Sequence, residues 1–89
     1  MFIQTEATPN PQTLKFLPGD VVMAQGVAEF LTPAEAQGKS PLAERLFEIN
    51  GVKSVFYGAD FIAVTKVDQV AWADIKTFVL GVLRSEEHT

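Results

Sequence analysis

The sequence contains no cysteine. That removes disulfides, thiolate metal ligands and thiol nucleophiles together. It has one histidine, His88, in the closing polar run "RSEEHT". A general base or metal ligand needs a rigid shell of neighbours, and a terminal run without apolar anchors supplies none. A Ser-His-Asp triad and histidine-based zinc sites are therefore excluded. No apolar run approaches the ~20 residues that cross a bilayer, so no membrane role is expected. The opening "MFIQTEATPNP" has neither the basic and apolar regions of a signal peptide nor the Arg-rich character of a transit peptide. The expected location is the cytoplasm. Positive charge is also scarce: seven Lys and Arg face eleven Asp and Glu, for a net charge of −4. The basic residues are scattered singly, which argues against nucleic acid as a partner.

What is present describes a small folded domain. The chain has 89 residues, 47% of them hydrophobic and 20% charged, a balance that favours a packed core over disorder. Residues 1–84 are expected to form one domain and 85–89 a frayed polar tail. Phe2 to Ala7 alternates like a strand, as does Thr13 to Leu17. Between them lies "TPNPQ", Thr8 to Gln12. Pro9 and Pro11 fix their own φ and donate no hydrogen bond, and Asn10 is held extended by the proline after it. This segment is expected to be a stiff, exposed corner between two antiparallel strands. Pro18-Gly19-Asp20 signals a turn, Val21-Val22-Met23 is a short apolar piece, and Gly26 breaks the chain again.

Val27 to Leu31 reads as a third strand, and Thr32 to Lys39 as a loop or single helical turn. Ser40 and Pro41 are suited to cap and open a helix, with Leu42, Ala43, Leu46, Phe47 and Ile49 as its apolar stripe and Asn50-Gly51 as its stop. Val52 to Tyr57 and Phe61 to Lys66 form two more strands around a tight turn at Gly58-Ala59. A final helix is expected from an Asp68 cap, with a Val67–Trp72 hydrophobic staple. Its buried stripe would be Ala71, Ile75, Phe78, Val79 and Val82. The fold class is α+β: an antiparallel sheet in β-β-β-α-β-β-α order with both helices packed on one face. The covered face would carry Ile3, Leu14, Phe16, Phe30, Val55, Ile62 and Val64. The opposite face would carry Gln4, Glu6, Thr13, Lys15, Glu29, Ala63 and Thr65, with Phe2, Leu17 and Phe61 alongside.

Chemistry-bearing constellations are missing. Glu44 and Glu48 suit a solvated helix face, Asp68 a cap, Asp74 an early helical turn, and Glu86 and Glu87 a soluble tail. The six glycines are dispersed and form neither a phosphate loop nor a dinucleotide fingerprint. With no nucleophile, tuned base or bound cofactor in a plausible cluster, an enzyme is not expected. The remaining candidate is a surface. The stiff corner sets Asn10 and Gln12 beside Thr13 and Lys15, and Gln4 and Glu29 share the outward face with the latter pair. Preorganised polar groups lose less entropy on binding. The same prolines also serve simply to end a hairpin and block edge pairing.

Three segments carry a resemblance: "TEATPNPQTLKFLPG" (5–19), "SPLAERLFEINGVKSVFYGADFIAVTK" (40–66) and "WADIK" (72–76). In this order and spacing the chain resembles the N-terminal domain of the Nfu family of iron–sulfur cluster scaffold and carrier proteins. Family members join this domain to a second one whose Cys-x-x-Cys pair holds the cluster, two chains pooling their cysteines. Those ligands map onto no residue of this chain. The resemblance implies a non-catalytic interaction or targeting domain that assists cluster assembly or delivery and ligates neither cluster nor metal itself. Its implied partners are iron–sulfur apo-proteins or assembly factors, together with a cysteine-bearing C-terminal domain if the chain is a fragment. The alternative is a purely structural module that spaces, solubilises or dimerises such a domain.

Overall fold

The computed structural model describes residues 3–19 and 26–86. Expectations for Phe2, Asp20, Val21 to Met23, Glu87 and His88 lie outside the described residues. Among the described residues five strands and three helices follow one another: β1 (Gln4–Ala7), β2 (Thr13–Leu17), β3 (Ala28–Phe30), α1 (Pro33–Ala36), α2 (Pro41–Phe47), β4 (Val52–Tyr57), β5 (Ile62–Lys66) and α3 (Trp72–Glu86). The strands form one sheet in the order β1-β2-β5-β4-β3, and every neighbouring pair is antiparallel. The α+β class read from the sequence therefore holds. The element order gains one helix, the four-residue α1. Thr32 Oγ1 accepts from the Glu35 N–H at 3.3 Å and Pro33 occupies the first turn, so the cap chemistry suffices for a single turn of helix.

Register sorts the side chains. Leu14 lies opposite Val64 and Phe16 opposite Ile62 across β2 and β5. Val55 faces Val64 and Tyr57 faces Ile62 across β4 and β5. Phe30 faces Val55 at the β3 edge. These residues occupy one face and, with Ala43 and Leu46 of α2 and Val79 and Leu83 of α3, form a single hydrophobic cluster. Helices α2 and α3 thus cover the same side of the sheet. Phe16, Leu46, Val55, Val64 and Val79 are the large side chains sealed within it.

Capping fixes α2. Ser40 Oγ accepts from the Ala43 N–H at 3.1 Å and pairs with the Tyr57 hydroxyl at 2.8 Å. One serine therefore closes the helix N-terminus and ties it to β4. The helix ends at Phe47, with Glu48 as its cap, earlier than Asn50-Gly51. The Ile49 N–H reaches back three residues to the Leu46 carbonyl at 3.1 Å, a tightened last turn that satisfies an orphan carbonyl. Gly51 follows with φ +112°, a conformation glycine tolerates far better than other residues.

Other expectations need correction. β3 is shorter than Val27 to Leu31, and those two flanking residues are exposed. β5 begins at Ile62, so Phe61 belongs to the connection, where the Gly58 N–H donates to the Phe61 carbonyl at 2.9 Å. α3 opens at Trp72, not after Asp68, which lies in an exposed turn. Trp72 is the first helical residue and cannot sit at the fourth position of a staple. It packs edge-on to Phe16 with ring centroids 6.2 Å apart. The buried stripe is Ile75, Val79 and Leu83, while Phe78 is 63% exposed. Phe78 adjoins Val79 and therefore points about 100° round the helix from it. The sheet selected the Ile75–Val79–Leu83 face and left Phe78 outside.

Candidate interaction surface

The sheet face turned away from α2 and α3 gathers most of the polar residues singled out in the sequence. Pairing across five strands aligns Glu6, Lys15, Ala63, Phe56 and Glu29 in one row. Next to it, Thr13, Thr65 and Ser54 form a row of hydroxyls, in which the Thr13 and Thr65 side chains hydrogen-bond at 2.8 Å. Lys15 is the hub of the first row. Its ammonium lies 3.8 Å from Glu6 Oε1 and 4.6 Å from the Phe61 ring centroid. Phe61 in turn stacks on Phe56 at 6.0 Å. The ion pair is solvent-exposed and contributes about 0–1 kcal/mol. The aromatic pair and the cation above it give the face a preformed, mixed apolar and cationic centre.

Gly58 makes this centre possible. A Cβ built there would collide with the Phe61 ring, so the ring folds back over Phe56 only because the residue has no side chain. Gln4 and Glu29 share the outward face but stand on β1 and β3, the two opposite edges. Four strand spacings, about 19 Å, separate them. Gln4, Lys15 and Thr13 lie towards one side, and Glu29 belongs with Phe56 instead.

The Thr8–Gln12 corner is tied down from several directions. The single Thr8 hydroxyl proton is shared between the carbonyls of Asn10 and Thr13, at 2.8 and 2.9 Å from Oγ1. Asn10 Oδ1 accepts from the Gln12 N–H at 2.9 Å, the Asx-turn that asparagine favours. The Lys66 N–H donates to the Gln12 carbonyl at 2.8 Å, and the Trp72 indole N–H to the Pro11 carbonyl at 3.2 Å. The corner therefore links β2, the end of β5 and the start of α3. Asn10 and Gln12 sit at that end of the sheet, and Thr13 joins them to the hydroxyl row.

A second surface had no clear sequence signal. Between α2 and α3 runs an open groove of about 620 Å³, lined chiefly by Ile49, Val70, Ile75, Phe78 and Val82, with Arg45, Glu48 and Asp74 among its polar residues. Phe78 is its largest side chain. The helical spacing that marked Phe78 as core is the same spacing that places it beside the groove. Among the described residues no three His, Cys, Asp or Glu side chains converge on a point where they could hold a metal ion.

A family model described as "Scaffold protein Nfu/NifU N terminal" matches residues 3–88. The chain belongs to this family. It is 49% identical over 83 residues to "NifU-like protein 5, mitochondrial" from Arabidopsis thaliana, covering 93% of this chain and 30% of that protein. It is 58% identical over 69 residues to the human "NFU1 iron-sulfur cluster scaffold homolog, mitochondrial", covering 78% and 27%. The solution structure of a NifU-like protein from Saccharomyces cerevisiae superimposes with a TM-score of 0.80 at 31% identity, covering 92% of this chain and 74% of that one. The chain thus spans less than a third of the length of these two curated relatives. The resemblance seen in the Thr5–Gly19 and Ser40–Lys66 segments is confirmed as family membership. The expected cytoplasmic location is overturned, because the curated relatives are named as mitochondrial proteins.

Proposed function

We propose that this chain is the recognition part of an iron–sulfur cluster scaffold or carrier. It acts as a non-catalytic interaction or targeting domain that assists cluster assembly or delivery, and it does not itself hold the cluster. One observation carries this reading: a chain of a scaffold family contains no cysteine. Iron–sulfur clusters are held by thiolates, with histidine as an occasional substitute, and carboxylates suit a soft sulfide cluster poorly. The cluster is cargo here, and if the chain is a fragment its ligands come from a cysteine-bearing C-terminal domain. Partners are iron–sulfur apo-proteins or assembly factors. The outer sheet face, centred on Lys15 with Thr13, Gln4 and Glu29, and the corner bearing Asn10 and Gln12 form the docking surface.

Titrating the isotopically labelled chain with an iron–sulfur apo-protein, followed by amide chemical shifts, tests the placement. Shifts confined to the Glu6–Lys15–Ala63–Phe56–Glu29 row and the corner support it. Shifts centred on Phe78 and the α2–α3 groove move the docking site to the helical side. No binding by any apo-protein or assembly factor leaves the chain as a spacing module. Incubation with iron and sulfide under reducing conditions tests the other half. A colourless, iron-free chain is expected, and a brown species eluting with it at a fixed iron ratio would overturn the non-ligating role.

A further inference from the structure

Two carboxamides at the end of the sheet have their orientation fixed by chemistry. Asn10 Oδ1 accepts from the Gln12 N–H, and Gln12 Oε1 accepts from the Lys66 ammonium. Both partners can only donate, so turning either amide end for end would lose its bond. Each amide uses its oxygen inside the protein, which leaves its NH2 group as the donor on the other side. Both residues line a small cleft of about 310 Å³ shared with Lys53, Lys66, Asp68 and Gln69.

Lys66 is the unusual member. It sits at the end of β5 on the core side of the sheet and is 8% exposed. Its ammonium is held by Gln12 Oε1 and, at 3.5 Å, by the Val67 carbonyl. Both acceptors are neutral, and among the described residues no carboxylate lies within ion-pair distance of it. A part-buried ammonium whose partners are all neutral still has charge left to pair with an anion. Two ammonium groups and one carboxylate, Asp68, leave the cleft with one positive charge to balance.

We infer that this cleft binds a carboxylate. The Lys66 ammonium, fixed in place by Gln12, supplies the charge, Lys53 adds to it from the exposed side, and the NH2 groups of Asn10 and Gln12 supply neutral donors. Charge-assisted hydrogen bonds of this kind are the stronger class, and the donors are already held in position. The volume suits the side chain of an aspartate or glutamate on a partner protein, or a small free organic acid. The inference does not depend on the cluster role proposed above, since it concerns only donors and charge at this end of the sheet.

The test is an amide-shift titration of the whole chain with succinate, and separately with a blocked short peptide carrying one glutamate. Sodium chloride at matched ionic strength serves as the control. Saturable shifts at Gln12, Lys66 and Gln69, with a dissociation constant of about 1–10 mM, support the site. Tighter binding of the peptide assigns the carboxylate to a partner's side chain, and tighter binding of succinate to a free acid. Lys66→Met should weaken binding at least about tenfold. If that variant fails to fold, Lys53→Ser, at an exposed position, should weaken it about two- to fivefold. Equal shifts with chloride, no saturable shift with either carboxylate, or unchanged affinity in the Lys53 variant and in a folded Lys66 variant would overturn the inference.

Discussion

The two faces of the sheet are built from alternate residues of the same strands, yet they obey different rules. On the inner face Phe16, Val55 and Val64 are sealed under α2 and α3. On the outer face their chain neighbours Lys15, Phe56, Thr65 and Ala63 remain partly open. The inner face is specified by volume and apolarity, so a lost side chain leaves a cavity. The outer face is specified by pairing: a hydroxyl row, an ion pair, and an aromatic stack under a lysine. Evolution of partners can alter the second face without disturbing the first, because the strand period of two separates them at every position. Helix α3 repeats the contrast within one step of the chain, with Val79 buried and Phe78 exposed.

The comparison can be broken most forcefully at Phe16. Phe16→Ala removes a fully buried ring that packs against Trp72, and a loss of about 3–5 kcal/mol in urea unfolding is expected. In a domain of roughly 5–15 kcal/mol this is a large share. A loss below about 1 kcal/mol would show that the inner face is not the core.

Ser40→Ala should come next, at about 0.5–2 kcal/mol, because it removes the α2 cap together with a partner of Tyr57. Thermal unfolding that matches the parent chain would mean that the cap bond does not form in solution. Phe78→Ala sharpens the contrast with its neighbour. Its ring stands outside the core, so the stability change should be within about 0.5 kcal/mol, far below the cost of truncating a buried phenylalanine. A melt displaced by several kcal/mol would place Phe78 against other side chains and change the reading of the groove.

Lys15→Glu should cost no more than about 1 kcal/mol, since the ion pair it turns into a repulsion with Glu6 is exposed. It should nevertheless weaken an apo-protein complex if the outer face is the docking surface. Calorimetry showing equal affinity for the variant would remove Lys15 from that role. Of these four changes, only this one is expected to separate binding from folding.

Much of the fold is legible in the sequence for local reasons. Alternation from Thr13 to Leu17 and from Val52 to Tyr57 marks strands, because a strand's two faces meet different surroundings. Ser40-Pro41 marks a helix start, because cap and first-turn chemistry act over three or four residues. The proline corner reads as a stop for the same kind of reason. Its further duty does not: the bonds from Trp72 to Pro11 and from Lys66 to Gln12 span 61 and 54 residues, and no local pattern encodes them. The α3 start is not legible either, because Asp68 offers good cap chemistry that the chain does not use.

By itself, then, the sequence determined that there are five strands and two longer helices in their observed order, that the sheet has one apolar face, and that cysteine chemistry is absent. Only the tertiary structure decided which α3 residues meet the sheet, since Val79 and Phe78 are both apolar and a rotation of the helix by about 100° exchanges them. Tertiary pairing also aligned Glu6 with Glu29 across five strands and set Asn10, Gln12, Lys53 and Lys66 around one cleft. The physical reason is range. Backbone propensity and capping act within a turn or two, whereas register, helix rotation and clefts are fixed by side chains that meet only after the chain has closed on itself.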